Sequence, residues 1–496
     1  MAAKLAGSLR RNRVLVLTLA LALSGLAAQR SSATTSPEQE VTPALAQAGA
    51  VPSPVVTGPI PATAPPGDPS HDYPFFATNQ DLRSYGYVEE EYFIEGTANR
   101  YTTPAGATGA VIDGGHHYKT RIVVRRPMSA QKFNGTAIVE WYNVTNNFDY
   151  EVIWSRAFRH MLAAGYMWVG VSAQAAGVES PTGLKAWSPR RYDSLDLTDG
   201  GKVTDDSLCY DVFSQAAEAL THPTGADPTG GLDVRTLVAT GQSQSASRLG
   251  TYTNSVHPLA PIYDAITIVD GGVQIRGDLT TNVFKTASEY DVLTRQAGLR
   301  QPDTDKYVYW EIAGASHSDR HAYLVNNAIR LRDAGVSGLT AGPSSPCLEP
   351  ARSNVPYEYV LDAMFDHVVR WVRDGVQPPS APKVEVTDLT TQPVTVARDP
   401  YQIVKGGIRL ASVDVPTERN TGWNVGLVAA DNSRCGQGGT WIPFDDTTLS
   451  QLYPTHAGYV DAVRRVTQQN LRDGFLVPDD AAATIRAAEL SRIGRW

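Results

Sequence analysis

Short apolar runs alternate with amphipathic segments through the middle of the chain. The apolar runs lack the polar alternation of a half-exposed strand, whereas the segments between them repeat apolar positions at helical spacing. The predicted strands are Thr120–Val124, Thr136–Tyr142, Tyr166–Ala173, Val234–Thr240, Ala265–Asp270, Asn282–Ser288 and Tyr307–Ile312, and the predicted helices are Val152–Ala164, Cys209–Leu220, Ser245–Val256 and Tyr357–Arg373. Uninterrupted apolar strands separated by helices indicate a mostly parallel, twisted sheet with helices on both faces. The pattern therefore predicts an α/β fold.

Both ends of the chain depart from this pattern. Residues 1–33 place basic residues before the apolar run Val14–Ala28 and end in small residues, which predicts a secretory signal peptide. A membrane anchor and a twin-arginine export signal, from Arg10-Arg11, remain as alternatives. Residues 34–70 are rich in Ala, Pro, Thr and Ser and predict a linker. Residues 71–378 form the predicted core, with 174–208 as a possible cap insertion, and residues 379–496 form a predicted strand-and-helix extension packed on the core.

The composition indicates a globular protein and argues against a nucleic-acid-binding protein or a zinc protein. The 496 residues are 42% hydrophobic, enough for a large core, and the formal net charge is −8. A strongly basic nucleic-acid-binding surface is therefore disfavoured. The three cysteines lack the paired spacing of a zinc site. In an oxidising compartment we expect Cys347 and Cys435, both in loop-like sequence, to form a disulfide and Cys209 to remain a buried thiol.

The candidate chemistry lies where the strand Val234–Thr240 ends. The sequence Gly241-Gln242-Ser243-Gln244-Ser245 joins that strand directly to a helix. A serine on so tight a turn projects its hydroxyl above the sheet, and small residues on both sides allow strand and helix to approach each other. Ser245 stands where the usual G-x-S-x-G motif has its second glycine. Ser243 is therefore the candidate nucleophile, and a serine-rich helix cap is the alternative interpretation.

A nucleophilic serine needs a base and an acid that orients the base. In α/β hydrolases these follow the serine in the order acid, then histidine, each just after a later strand. Glu289 and Asp291 follow the strand Asn282–Ser288, and His317 follows the strand Tyr307–Ile312. We favour Asp291 as the acid, with Glu289 as the alternative. His317 and His321 lack the glutamate of a zincin motif, so we expect neither a metal nor a cofactor.

Two further groups of residues are candidates for substrate stabilisation. The backbone N–H of Gln244 and that of Tyr142 or Asn143 are the candidate donors to an oxyanion. The interval from Asp270 to Asn282 is too short for a lid domain, so the cover must come from elsewhere. One candidate cover is the segment 174–208, in which Trp187 and Arg190 are candidate substrate-binding residues or simply part of a packed surface loop. The other is the chain after His317, especially 380–496.

Several motifs resemble secreted bacterial proteins of the "alpha/beta hydrolase domain-containing" type. These motifs are Tyr118-Lys119-Thr120-Arg121 with Arg125-Arg126-Pro127, Val139-Glu140-Trp141-Tyr142-Asn143-Val144, Gly241-Gln242-Ser243-Gln244-Ser245, Gln301-Pro302-Asp303-Thr304-Asp305 and Gly406-Gly407-Ile408-Arg409. The resemblance spans roughly residues 75–490, and the turn around Ser243 is its most specific element. It implies an α/β-hydrolase fold with Ser243 as nucleophile and His317 as base. Both Glu289 and Asp291 match that family's pattern for the acid.

These residues together predict a secreted serine hydrolase that cleaves carboxylic esters through an acyl-enzyme. The expected partner is a small-molecule or polymeric ester substrate, with no nucleic acid and no stable membrane anchor. An acyltransferase would use the same groups, and a catalytically inactive α/β hydrolase with a binding role is the other alternative. Substrate identity does not follow from the sequence.

Overall fold

The computed structural model of the protein describes residues 49–496. The predicted signal peptide at 1–33 and the first part of the predicted linker lie outside the described residues. Ten strands form one sheet: β1 Val55–Thr57, β2 Tyr87–Tyr101, β3 Val111–Pro127, β4 Thr136–Trp141, β5 Met167–Val171, β6 Thr224–Gly225, β7 Thr236–Gln242, β8 Ala265–Val269, β9 Asn282–Ser288 and β10 Tyr307–Ile312. Two small antiparallel pairs follow, β11 Val386–Asp388 with β12 Thr395–Val396 and β13 Glu418–Thr421 with β14 Thr440–Pro443.

The order of the large sheet is β10-β9-β8-β7-β4-β5-β3-β2-β1-β6. Strands β10 to β5 in this order run parallel, and antiparallel pairing begins between β5 and β3. Every residue of these six parallel strands is buried, as the apolar runs predicted. The long antiparallel strands β2 and β3 extend the sheet on the other side.

Residues 49–496 contain fourteen α-helices. They are α1 Val152–Ala164, α2 Ala175–Glu179, α3 Leu184–Trp187, α4 Pro189–Tyr192, α5 Cys209–Thr221, α6 Gln244–Thr251, α7 Glu289–Thr294, α8 Arg320–Ala334, α9 Tyr357–Asp374, α10 Ala411–Asp414, α11 Asn432–Gly438, α12 Asp446–Leu452, α13 His456–Arg472 and α14 Pro478–Leu490. Helix α1 packs on α8, α9 and the sheet, while α6 packs on β7, β8 and β4. Within residues 49–496, no helix is both long enough and apolar enough to cross a membrane.

Strands β7, β8, β9 and β10 are adjacent and parallel, and this arrangement positions the site. Their carboxyl ends meet at one edge of the sheet because parallel strands share a direction. Ser243 follows β7, Asp270 follows β8, Asp291 lies in α7 directly after β9, and His317 lies five residues after β10. Residues that are distant in sequence are thereby brought to one edge.

The linker prediction for 34–70 is wrong for the part that the structure describes. Val55–Thr57 pairs antiparallel with β2 and parallel with β6, and Val56 is buried. Farther along, the carbonyls of Ile60 and Pro61 accept hydrogen bonds from the Arg191 guanidinium. A three-residue strand is stable here because its partners come from elsewhere in the sheet, which local composition does not reveal.

The chain after residue 378 packs on the edge of the sheet. The Ile408 N–H donates to the Glu311 carbonyl over 2.7 Å, and the Ala313 N–H donates to the Ile408 carbonyl over 3.0 Å.

Cys347 and Cys435, the pair expected from the sequence, form a disulfide, and Cys209 is a buried free thiol.

Candidate active site

Ser243 sits on a strained turn between β7 and α6. Its backbone has φ +62° and ψ −114°, a conformation that costs free energy for any residue other than glycine. A Cβ on Gly241 would lie 3.2 Å from Ser245 Oγ, which explains the glycine at that position. Ser245 takes the place of the usual second glycine: its Oγ accepts from the Gln242 N–H (3.1 Å) and donates to the Gln242 carbonyl (3.0 Å). The departure from the motif therefore adds two hydrogen bonds that hold the turn.

His317 lies between Ser243 and Asp291. Its Nε2 is 2.8 Å from Ser243 Oγ, and its Nδ1 is 3.1 Å and 3.0 Å from the two carboxylate oxygens of Asp291. The Ser288 hydroxyl donates to Asp291 Oδ2 over 2.6 Å and orients that carboxylate. Burial lowers the pKa of His317, but the negative charges of Asp291 and Asp270 outweigh it, so the pKa lies above its usual value.

Glu289, the other acid suggested by the sequence, does not contact His317. Its Oε2 accepts from the Gly314 N–H over 3.0 Å, and its Oε1 accepts from Arg398 over 2.7 Å. The carboxylate thus anchors the loop that carries His317 and ties it to the C-terminal extension. Of the two candidates, the geometry brings only Asp291 to the histidine.

Sequence analysis missed a second carboxylate beside the histidine. Asp270 accepts hydrogen bonds from the Ser288 N–H and the Tyr357 hydroxyl, both over 2.8 Å, and pairs with Arg156 at 3.2 Å. Burial and the nearby charge of Asp291 raise the pKa of Asp270 to about 7. The available signal was its position directly after a parallel strand, the same criterion that selected Asp291.

Arg156 joins this carboxylate to the histidine loop. Its Nε donates to Asp319 over 2.8 Å, and one terminal nitrogen donates to the His317 carbonyl over 2.8 Å. Arg156 is buried, and its position in the amphipathic helix α1, which also carries Arg159 and His160, gave no separate signal of a role at the site. The guanidinium therefore holds the backbone of the histidine in place from behind.

Asp270, Asp291 and His317 also offer ligand atoms within 4.8 Å of one another. All three side chains already make hydrogen bonds at this site, and the positive charge of Arg156 lies against Asp270. A cation would have to displace these contacts and sit beside another positive charge. The donor set thus fits a hydrogen-bonded catalytic group better than a metal centre.

The predicted oxyanion donors are only partly available. Gln244 is the first residue of α6, and its N–H has no acceptor among residues 49–496, so this N–H and the helix dipole remain available to an oxyanion. The prediction for Tyr142 and Asn143 is wrong, because their N–H groups donate to the carbonyls of Val171 (3.3 Å) and Tyr150 (3.1 Å). The chain continues its ladder hydrogen bonds past the end of β4, which leaves neither N–H free.

Gln244 has a second role that the sequence did not reveal. Its side-chain oxygen accepts from the Val144 N–H over 3.2 Å, and its side-chain nitrogen donates to Gln174 over 2.8 Å. Gln174 also accepts from the Trp141 indole over 3.1 Å. The Gln244 side chain therefore fixes the loop after β4 to the nucleophile turn.

A cavity of about 320 Å³ opens on Ser243 and His317. Its far wall comes from the chain after His317, including Gly338, Leu339, Arg352 and Gln437. The Cys347–Cys435 disulfide joins the two segments that supply this wall. A larger cavity, of about 410 Å³ between α8, α9, α13 and α14, contains neither Ser243 nor His317.

Trp187 and Arg190, the predicted substrate-binding residues, are not part of this cavity. The Trp187 indole stacks on His71 with ring centroids 4.3 Å apart and packs against Phe75. Arg190 is exposed, and its guanidinium lies 3.7 Å from the Asp72 carboxylate. Residues of the segment 71–76 contact both side chains outside the cavity. The prediction that Trp187 and Arg190 line the substrate cavity is therefore wrong.

The sequence matches the family described as "Alpha/beta hydrolase domain" over residues 56–486. None of the curated proteins matches the sequence. Similar solved structures include oligopeptidase B from Trypanosoma brucei, at 13% identity over 51% of this chain and 38% of that chain, with a TM-score of 0.27. The esterase Est22 is 11% identical over 47% of this chain and 74% of its own, also with a TM-score of 0.27.

A structure from a study of two prolyl endopeptidases is 13% identical over 46% of this chain and 35% of that chain, with a TM-score of 0.27. The protein thus spans less than two thirds of the length of the oligopeptidase and endopeptidase chains that it resembles. The family match covers most of the sequence and confirms the predicted fold and resemblance. The chain belongs to the alpha/beta hydrolase domain family.

Proposed function

We propose that the protein is a secreted serine hydrolase that cleaves carboxylic esters through an acyl-enzyme. The observation that carries this proposal is the contact of 2.8 Å between His317 Nε2 and Ser243 Oγ at the floor of an open cavity. Asp291 on the other ring nitrogen favours the tautomer that leaves Nε2 free to accept the serine proton. Secretion is supported by the N-terminal sequence and by the disulfide, which is typical of oxidising compartments.

In the first step, His317 takes the Ser243 proton as Ser243 Oγ attacks the ester carbonyl. The oxyanion that forms faces the Gln244 N–H and the amino end of α6. His317 then donates its proton to the leaving alcohol, and the acyl group remains on Ser243. Water, deprotonated by the same histidine, attacks the acyl-enzyme and releases the acid. An ester is a less demanding substrate for these groups than an amide, because an alcohol leaves more readily than an amine.

The experiment compares wild type with Ser243→Ala. We expect wild type to hydrolyse p-nitrophenyl esters and to react with a fluorophosphonate at Ser243, and we expect Ser243→Ala to do neither. Ser450→Ala, at a partly exposed serine on α12, is the matched control and should behave as wild type. A wild-type protein that neither turns over esters nor takes the label would contradict the proposal and favour a binding role. Transfer to an added alcohol in preference to water would identify an acyltransferase.

A further inference from the structure

The cavity over Ser243 carries a charge opposite to that of the whole chain. The chain has a net charge of −8, yet four arginines and no aspartate or glutamate are among the residues that line this cavity. Two of the four are neutralised: Arg156 pairs with Asp270 and Asp319, and Arg434 pairs with Asp431. The remaining two, Arg330 and Arg352, have no carboxylate partner among residues 49–496.

Arg352 is buried, with 3% of its surface exposed, and its hydrogen bonds go to neutral groups. Its guanidinium donates to the Leu339 carbonyl over 2.6 Å, and to the carbonyl and hydroxyl of Ser318 over 2.7 Å and 2.8 Å. Burial, with a further contribution from the nearby charge of Arg330, lowers the pKa of Arg352 to about 10. The negative charge of Asp319 raises the pKa of Arg352, but this carboxylate is hydrogen-bonded to Arg156 and makes no ion pair with Arg352.

Arg330 lies on α8, and its side chain makes no hydrogen bond with any residue of 49–496. Its guanidinium lies over the rings of Tyr150 and Phe148, at 5.1 Å and 6.0 Å from their centroids, and its Nε is buried without an acceptor. Two nearby positive charges that have no ion-pair partner of their own among residues 49–496 destabilise the folded protein, since buried charges normally require a partner. A bound anion would remove this cost.

The two arginines also share a small recess that adjoins the catalytic cavity. This recess, of about 10 Å³, is lined by both arginines together with Tyr150 and Tyr323. Tyr150 and both arginines also line the cavity that contains Ser243. The volume admits about one water-sized group, such as an oxygen of a planar oxyanion. Arginine forks bind carboxylates with two parallel N–H···O bonds.

We propose that this recess binds a carboxylate carried by the substrate, so that the preferred substrate is an ester with a second, negatively charged carboxylate group. This inference rests on the proposed function, because it names the substrate class of the same serine site. The carboxylate neutralises Arg330 and Arg352 while the ester carbonyl lies against Ser243. The bond that is cleaved remains the ester, and the carboxylate itself is unchanged by the reaction.

The experiment measures kcat/KM for two series of matched esters. One series compares mono-p-nitrophenyl succinate, glutarate and adipate with the neutral acyl esters of equal length. The other compares carboxyphenyl acetates with phenyl acetate, which places the charge on the alcohol. We expect the charged member to be preferred about 10- to 100-fold in at least one series, as expected for hydrogen bonds to a charged group. This preference should decline as salt is added.

Arg330→Gln should lower kcat/KM for the charged esters relative to the neutral esters and so remove the preference, while Arg330→Lys should retain part of it. Arg465→Gln, which removes an exposed charge on α13 outside the cavity, is the matched control and should keep the full preference. A stable wild-type enzyme that hydrolyses neutral esters but shows no preference in either series would overturn the inference alone. A preference that survives Arg330→Gln would overturn it as well.

A direct competition assay separates this inference from the proposed function. Glutarate should slow fluorophosphonate labelling of Ser243 in wild type and not in Arg330→Gln, whether or not a chromogenic ester is turned over. Inhibition by inorganic phosphate with none by glutarate would overturn the assignment of a carboxylate. Absence of labelling under all conditions would instead contradict the proposed function.

Discussion

Ser245 Oγ makes two hydrogen bonds with the backbone of Gln242: it accepts one from the Gln242 N–H and donates one to the Gln242 carbonyl. Both groups belong to the turn that carries Ser243, and Ser245 itself is fully buried. Ser245, which replaces the second glycine of the usual motif, therefore helps to hold Ser243 in its strained conformation.

Ser245→Ala should lower the free energy of unfolding by about 1–3 kcal/mol, because a buried Gln242 N–H loses its acceptor. Ser245→Gly restores the usual motif but should lose as much, since the two hydrogen bonds disappear with the hydroxyl. Denaturant unfolding measures both variants. Ser247→Ala on the same helix, whose half-buried hydroxyl makes one bond of 3.3 Å, should cost less and serves as the control. Equal losses in all three variants would contradict this role for Ser245.

Asp291→Asn should reduce kcat by about 10³- to 10⁴-fold, because an amide favours the wrong tautomer of His317. Glu289→Gln is the matched variant two residues away. It should lower stability through its contacts with Gly314 and Arg398 and leave kcat within about 10-fold of wild type. Steady-state kinetics and thermal unfolding of both variants distinguish the roles. The opposite order of the two effects on kcat would show that Glu289 is the acid.

The pH dependence of kcat/KM should reveal the electrostatic effect of Asp270 on His317. His317 must be neutral to accept the serine proton, and the negative charges of Asp291 and Asp270 raise its pKa. The acidic limb of the profile should therefore lie above the usual histidine value of about 6.5. Asp270→Asn removes one of these charges, so the limb should move to lower pH. A limb that stays in place, in a variant that remains folded, would show that Asp270 has no electrostatic effect on the histidine.

The contribution of Glu358 to the free energy of unfolding should fall as pH rises from about 4.5 to 8. Burial, with a smaller contribution from Asp319, raises the pKa of Glu358 to about 8 in the folded protein. Between the unfolded and folded pKa values the unfolded chain releases the proton first. One such group therefore destabilises the fold by up to about 1.4 kcal/mol per pH unit. Glu358→Gln should flatten this slope in unfolding experiments at several pH values, and an unchanged slope would contradict the assignment.

Removal of the disulfide should affect both stability and substrate binding. Cys347 and Cys435 are 88 residues apart and connect the two segments that form the far wall of the cavity. Cys347→Ser should lower the free energy of unfolding by about 2–4 kcal/mol. It should also raise KM more than it lowers kcat, because the wall loosens while Ser243 and His317 stay in place. Reduction of wild type should reproduce both effects, and a loss confined to kcat would argue against this role.

The sequence by itself determined the strands, the helices and the turn at Ser243, because these depend on residues close together in the chain. Buried strands and amphipathic helices follow from the spacing of apolar side chains, and a turn between strand and helix requires the small residues around Ser243. The sequence also places the serine, the acid and the histidine in that order, each just after one of the parallel strands β7, β9 and β10.

Tertiary structure alone decided which side chains meet. Glu289 is held by Arg398, 109 residues away, which leaves Asp291 for His317. The N–H groups of Tyr142 and Asn143 are taken by backbone carbonyls, and Trp187 is covered by the segment 71–76. A local pattern specifies periodicity and turn geometry within a few residues. The partner of a buried polar group is set by whichever distant segment packs against it.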